Sequence, residues 1–357
     1  MIVTPYKPLR SAEPPDVLDP IAPLMRDATL TEIMVNGPDT IYVERDGQLL
    51  LTDRQFEDEN HLLQAIDAML SGAGRPLDLS DPVLEARLPD GSRLTVVFPP
   101  VAVDGPMATI RKFSPRPIAI EDQIRFGSLS VEAASFLQAC VLARANFLIS
   151  GGSSSGKTTL LNGLSASVPD NERIVTIEEC VELRLQQGHV CRLESFPAGE
   201  KGKTVRELVR HGVRMRPDRL IVGEIRLPKE AFYTLQALHT GHDGSATTIH
   251  ASSAEDALFR FELLARQSMR DLTAADLRAY IARVFDLVVV LRRLNSGRRI
   301  VQQVAALDRV GADGGYQLTD VFRAEPDGGG LRWVHDRDWQ PPERLRARMQ
   351  LEGERWS

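Results

Sequence analysis

The run FLISGGSSSGKTTLL, Phe147–Leu161, decides how the rest of the chain is read. It contains G-x-x-x-x-G-K-T from Gly151 to Thr158, after an apolar stretch that reads as a buried strand and before TTLLNGLSASV, which reads as a helix. Strand, loop and helix in that order are the context a P-loop needs. Successive backbone N–H groups of such a loop cradle phosphate oxygens, and Gly151, Gly152 and Gly156 permit the close approach and positive φ angles that a side chain blocks. The intervening Ser153, Ser154 and Ser155 complete the cradle. A helix starting near Lys157 turns its positive dipole end toward the same phosphates. Lys157 is placed to reach the β and γ phosphates of a nucleoside triphosphate such as ATP. Thr158 is placed to hold Mg²⁺ through its hydroxyl, with Thr159 beside it in the first turn.

Around this loop the composition is ordinary for a globular protein. The 357 residues suffice for about two domains. Hydrophobic residues make up 43% and charged residues 26%. A net charge of -6 argues against bulk nucleic-acid binding, although Arg206–Arg219 is locally arginine-rich. Cys140, Cys180 and Cys191 are too few and too scattered for a disulfide framework or a C-x-x-C zinc site, so reduced thiols are expected. The first residues, MIVTPYKPLRSAEPPD, lack the apolar core of a signal peptide, and no apolar run is long enough to span a bilayer. Membrane association is expected only through partners.

The pattern of elements predicts two domains after a Pro-rich arm at residues 1–20. Residues 21–112 read as a small α+β domain. It has a helix at Ile21–Asp27, strands at Glu32–Val35 and Thr40–Glu44, and a hairpin turning at Asp46-Gly47. A helix over His61–Leu70, a hairpin over Leu84–Pro99 turning at Asp90-Gly91, and a strand from Met107 complete it. FSPRPIAIEDQIRF, residues 113–126, carries prolines and no strong period and reads as the interdomain linker. Residues 127–357 alternate helices with buried strands at Asn146–Ser150, Arg173–Ile177, Val190–Glu194, Arg219–Val222, Ala246–Ile249 and Leu287–Leu291. This α/β alternation implies a largely parallel sheet with helices on both faces, and the P-loop at a strand's carboxyl end, where such sheets bind ligands. A further strand over Arg298–Arg309 and a β appendage follow. The arginine-bearing tail Pro341–Trp356 reads as a solvated helix in preference to a docking one.

Three other strand ends carry chemistry. In ERIVTIEECVEL the strand delivers Glu178 and Glu179, which point in different directions in an extended chain, so one can face phosphates while the other binds metal or water. In RPDRLIVGEIR the buried strand ends at Gly223-Glu224, a Walker B-like element with glutamate as the carboxylate. Glu224 there binds Mg²⁺ through water or polarises the attacking water, and Arg226 is placed to pair with a carboxylate or a neighbouring chain. In TGHDGSATTIHAS, His242 sits where few packing roles exist and His250 ends a strand, as sensor residues do. Seven residues separate the two histidines, a poor zinc spacing.

With these motifs in order, the chain resembles a type II/type IV secretion-system ATPase, in the branch that powers tight-adherence (Flp-type) pili. The matching segments are GGSSSGKTTLLNGL as Walker A, RIVTIEECVEL as the family's Asp box, RMRPDRLIVGEIR as Walker B and TGHDGSATTIHASSAEDALFRFELL as the His box. LTEIMVNGPDTIYVERDGQL, ARLPDGSRL and GPMATIRKF match in the first half, and the resemblance spans roughly residues 20–295. Departures are Ser153-Ser154 where many pilus motors carry Thr-Gly, and Glu178-Glu179 where the family has Glu-Asp. The resemblance implies a RecA-like P-loop NTPase domain behind a smaller, PAS-like α+β domain, assembled as a cytoplasmic homo-hexamer. It implies that Arg93 and Arg111 approach the γ-phosphate, that Glu178 orients or deprotonates water, and that residues 113–126 act as a hinge. The implied partner is a polytopic inner-membrane platform protein. A conjugative type IV secretion ATPase, a nucleotide-gated interaction protein and a nucleic-acid motor are the rival readings.

Overall fold

The computed structural model describes residues 16–112, 118–195, 202–269, 271–328 and 330–351. The chain divides into two compact units, Met1–Arg116 and Pro117–Ser357.

The first unit is a six-stranded antiparallel sheet with one long helix on its apolar face. Its strands are β1 (Leu30–Asn36), β2 (Ile41–Arg45), β3 (Gln48–Leu51), β4 (Val83–Arg87), β5 (Arg93–Val97) and β6 (Met107–Arg111), in the order β3-β2-β1-β6-β5-β4. Alternation puts Ile33, Val35, Ile41, Val43, Leu94, Val96, Ala108 and Ile110 on the buried face. Against it lies α2 (Glu59–Gly72), which contributes Leu62, Ala65, Ile66, Met69 and Leu70. Asp58 caps α2 by accepting from the His61 N–H at 2.8 Å. The β2–β3 turn is Asp46-Gly47, both at positive φ (51° and 77°), as a tight hairpin requires. A short helix, α1 (Ala22–Arg26), precedes β1. Most of the arm expected at residues 1–20 lies outside the described residues. Its end, Asp16–Leu18, forms a helical turn rather than extended chain.

The second unit is built on a nine-stranded sheet. Six strands are parallel: β7 (Phe147–Gly151), β8 (Ile174–Glu178), β9 (Val190–Glu194), β10 (Arg219–Val222), β11 (Ala246–Ile249) and β12 (Leu287–Arg293). They lie in the order β12-β7-β11-β10-β8-β9, and β13 (Arg299–Val310), β14 (Tyr316–Asp327) and β15 (Gly330–His335) extend the β12 edge antiparallel. Strands β7, β8, β10 and β11 are buried at every position, which is why they read as unbroken apolar or small-residue runs. One face packs α4 (Val131–Leu142) and α5 (Lys157–Ser165); the other packs α6 (Val205–Gly212), α7 (Pro228–His239), α8 (Ala254–Ser268) and α9 (Ala274–Val284).

Two expectations change. The linker reading of residues 113–126 covers five residues outside the described set, but Ile120–Arg125 forms a helix, α3, that is fastened to the P-loop helix. The Gln123 amide donates to the Thr159 carbonyl at 3.0 Å, and only a glycine at 163 allows this approach, since a β-carbon there would meet the Gln123 side chain. The C-terminal segment is not solvated on all sides. Helix α10 (Glu343–Leu351) buries Leu345 and Met349 in the core shared with Phe136 and Trp339. Two of its three arginines meet Asp286: Arg344 and Arg348 each reach that carboxylate at 2.5 Å, while Arg346 is exposed. Charge read from sequence as solubility is here a docking device.

Candidate nucleotide site

Parallel register brings four strand ends to one edge of the sheet. Ser150 is level with Ile249, Val222 with Thr247, and Val222 with Ile177. Chain direction therefore delivers Gly151, His250, Glu224 and Glu178 to the same edge.

Leaving β7, the chain turns through Gly151 (φ 156°), Ser154 (φ 53°) and Gly156 (φ 99°), and Gly156 caps α5. A β-carbon on Gly151 would lie 2.7 Å from the Leu291 carbonyl oxygen, so the loop sits flush against β12. Lys157 is buried, and its Nζ donates to the carbonyls of Gly151 (3.1 Å) and Gly152 (3.0 Å). The ammonium is thus held in the hollow of its own loop. Ser150 Oγ, near the end of β7, and Ser155 Oγ, in the loop, are buried with no partner. Unpaired buried hydroxyls cost free energy unless a ligand satisfies them.

Glu178 is 3% exposed. Its Oε2 accepts from the N–H groups of Glu182 (2.8 Å) and Leu183 (3.0 Å), while Oε1 is buried without a partner. Burial raises its pKa to about 7 against the pull of those two N–H groups, with Glu182 and Glu194 adding to the rise. A carboxyl poised there is suited to taking a proton from water near neutral pH. Gly223 makes room for it: a β-carbon at 223 would come within 2.9 Å of Glu178 Cγ.

Glu224 Oε1 lies 2.7 Å from His250 Nε2, and its other oxygen accepts from Arg226 at 2.9 Å. Burial and the Lys157 ammonium lower the His250 pKa, which favours the neutral imidazole beside Glu224. Arg226 also pairs with Glu179, whose side chain is more than half exposed. Glu179 is therefore engaged by an arginine rather than presented to the loop.

Sequence reasoning passed over Glu182. It accepts from the Thr158 hydroxyl at 3.2 Å while its own N–H binds Glu178, so two hydrogen bonds join the first turn of α5 to the buried carboxyl. Its place four residues after Glu178 in the acidic box was the available signal. The following segment runs along α5, with Arg184 N–H donating to Asn162 (2.7 Å) and Gln187 to the Ser165 carbonyl (2.7 Å). Arg299, 145 residues from Ser154 in sequence, was also missed. Its Nε donates to the Ser154 carbonyl at 2.9 Å, and no local pattern announces such a contact.

The structure does not bring His242 to this edge. It precedes β11 at the amino end of the sheet, where its Nδ1 lies 2.9 Å from the Ala237 carbonyl at the end of α7. The whole of β11 separates it from His250.

Arg93 and Arg111 belong to the first unit. They stand directly opposite each other on β5 and β6, on the face away from α2. Arg87 is opposite Arg93 in turn, and Glu32 opposite Arg111. Arg93 also pairs with Glu85 at 3.2 Å. Three arginines thus share one cross-strand row with Glu32 at its end. Arg87, in the quoted ARLPDGSRL, was the third member left unremarked.

Comparison with known proteins fits this geometry. The family described as Type II/IV secretion system protein matches residues 16–314. The chain belongs to that family. It is 33% identical over 318 residues to a putative conjugal transfer protein of Mycobacterium tuberculosis, covering 87% of this chain and 88% of the relative. It is 30% identical over 323 residues to the type IV secretion system protein VirB11 of Bartonella quintana, covering 80% and 90%. Among solved structures, the pilus retraction motor PilT with bound ADP shares the fold, with a TM-score of 0.56 at 17% identity over 84% of this chain and 82% of that one. The second unit thus has the RecA-like fold of the type II/IV secretion family. The narrower tight-adherence branch expected from the motifs is not shown by these matches. Among the described residues no helix is long and apolar enough to cross a membrane.

Proposed function

We propose that this chain is an ATP-hydrolysing motor of a type IV secretion or conjugal-transfer machine, working as a cytoplasmic homo-hexamer beneath an inner-membrane partner. One observation carries the hydrolytic reading. At the edge where the P-loop opens, a buried carboxyl, Glu178, keeps one oxygen unpartnered and a pKa of about 7. A site that only held nucleotide has no need of such a group. Lys157 neutralises the β and γ phosphates, the loop N–H groups bind their oxygens, and Glu178 takes the proton of the attacking water. Glu224, fixed by His250 and Arg226, orients that water. Arg93 and Arg111 are the arginines that the family resemblance implies for the γ-phosphate.

Among the described residues no group of three or more His, Cys, Asp or Glu side chains forms a metal cluster. Oxygen donors at Thr158 and Glu182, 3.2 Å apart, nevertheless suit Mg²⁺ held mainly by phosphate and water, with Glu224 acting through water. The metal's contribution is charge neutralisation on the phosphate oxygens. The relatives' names, conjugal transfer and type IV secretion, favour transfer over pilus assembly as the output. Pilus assembly stands as the second reading on the wording of the four motifs.

The test is hydrolysis by the purified chain as a function of its concentration. ATP turnover per protomer should rise as rings form. Concentration-independent turnover by a stable monomer removes the ring. A folded chain that binds ADP but does not hydrolyse ATP leaves only the nucleotide-gated interaction protein.

A further inference from the structure

Ser154 has a backbone conformation that its residue type resists. Its φ of 53° lies in the left-handed region, where a β-carbon crowds the following carbonyl oxygen and where glycine, or less often Asn or Asp, is the usual occupant. Within the loop it is the one non-glycine residue at positive φ among those described. The conformation sets the direction of the N–H groups that follow, so it bears directly on the phosphate cradle.

What holds it comes from the other end of the unit. Arg299 opens β13, and its Nε donates to the Ser154 carbonyl at 2.9 Å. Its aliphatic stem lies along the loop: Cδ and Cβ pass 3.6 and 3.9 Å from where a β-carbon on Gly156 would stand. Leu291, on the neighbouring β12, closes the same wall, with Cδ2 at 3.7 Å from that point and its carbonyl beneath Gly151. The β12–β13 pair is therefore a template against which the loop is shaped, and Arg299 is its polar clamp.

We propose that Arg299 is a positioning residue, which fixes the P-loop in its phosphate-receiving form by holding Ser154 in a left-handed conformation that glycine would adopt unaided. The inference rests on the nucleotide-site reading above. It differs from a direct role for the guanidinium on phosphate, because the bond runs to the loop's own carbonyl and the dependence belongs to the residue type at 154. Arginine suits this clamp because its planar Nε–H points sideways from the chain, a direction a lysine ammonium does not reproduce.

The experiment is a mutant cycle read by titration with fluorescently labelled ADP, so that no turnover is needed. Each variant is first checked for native circular dichroism and a cooperative thermal transition. Arg299→Ala should weaken ADP binding about tenfold when Ser154 is present, and by less than about twofold in the Ser154→Gly background. Arg299→Lys, which keeps the charge and most of the stem, should behave like Arg299→Ala and guards against misfolding of the latter. Undiminished binding by folded Arg299→Ala overturns the proposal. So does an equal loss in both backgrounds, or full retention in Arg299→Lys; either result assigns Arg299 a charge contact with the nucleotide. If the wild-type chain itself binds no ADP, the nucleotide-site reading fails, and that outcome is separate from the others.

Discussion

The two edges of the nine-stranded sheet are built from similar residue types and use them in opposite ways. At the amino edge, most polar groups are paired within the fold, with Arg348 Nε an exception. Arg219 is 1% exposed and forks onto Glu172 at 2.6 and 3.1 Å, with the Val141 carbonyl as a third acceptor at 2.7 Å. Asp286 takes the Asn146 N–H together with Arg344 and Arg348 of α10, and the Asn146 side chain bridges the Val284 carbonyl to the Ser245 N–H. At the carboxyl edge, buried oxygens of Ser150, Ser155 and Glu178 are left without partners, and the backbone is held at positive φ. The difference teaches where to look for chemistry. A buried polar group that is fully satisfied stabilises or specifies the fold; one left unpartnered beside a P-loop is a candidate to meet a ligand, whereas those of Thr234 and Trp339 lie elsewhere in the fold.

The comparison breaks first, and most severely, at Lys157. Lys157→Ala should lower ATP turnover by at least ~10²-fold in a chain that still folds, because it removes the ammonium held against the Gly151 and Gly152 carbonyls of the loop. Steady-state hydrolysis checks it, and wild-type turnover would remove the P-loop assignment. The matching change at the other edge is Arg219→Met. It leaves the Glu172 carboxylate, whose exposure is slight, with Arg144 at 3.2 Å alone, and should cost about 3 kcal/mol of stability by denaturant unfolding while turnover per folded molecule holds. Loss of turnover without loss of stability would erase the distinction between the edges.

Next in size is Glu178→Gln, expected to reduce turnover by about 10²-fold while ADP affinity is kept. Its pH dependence carries a sign. The folded pKa is about 7 against 4.5 for a free glutamate, so between those values the folded state holds a proton that the unfolded chain has released. Wild-type stability should therefore fall as pH rises from about 4.5 to about 7 and level off above. The gap in thermal midpoint between Glu178→Gln and wild type should grow over that window. Wild-type turnover should rise through the same upper pKa, since only the carboxylate accepts a proton. A flat turnover profile from pH 6 to 8 would move the base elsewhere, with Glu224 the next choice.

Much of this geometry was legible in the chain. Full burial makes β7, β8, β10 and β11 unbroken runs, and parallel strands in one register must present their following residues at one edge, so Gly151, Glu178, Glu224 and His250 could be gathered from sequence alone. What could not be read depends on contacts between distant segments. Arg299 reaches Ser154 across 145 residues, and two arginines of α10 reach Asp286 across about sixty, with no periodicity to announce either. The arginine row of the first unit needed strand register, which fixes who stands opposite whom. His242 misled because a motif spans a strand: its two histidines are close in sequence and at opposite ends of β11 in space.

That pair of histidines supplies the finest test of the comparison. His250 contacts Glu224 at 2.7 Å and lies within the influence of Lys157. His250→Ala removes the imidazole 2.7 Å from the carboxylate proposed to orient water, so turnover should drop roughly tenfold or more. His242 instead meets the Ala237 carbonyl and closes the turn from α7 into β11. Its loss should cost about 1 kcal/mol of stability and change turnover by less than about twofold. Measuring kcat and thermal midpoint on both variants separates the cases, because the two signatures are opposite: activity without stability for one, stability without activity for the other. If His242→Ala matched His250→Ala in lost turnover, the amino edge would have to reach a reacting centre that its own chain does not bring to it. The site would then be completed by a neighbouring protomer, and the division of labour drawn here between the two edges would hold only within a single chain.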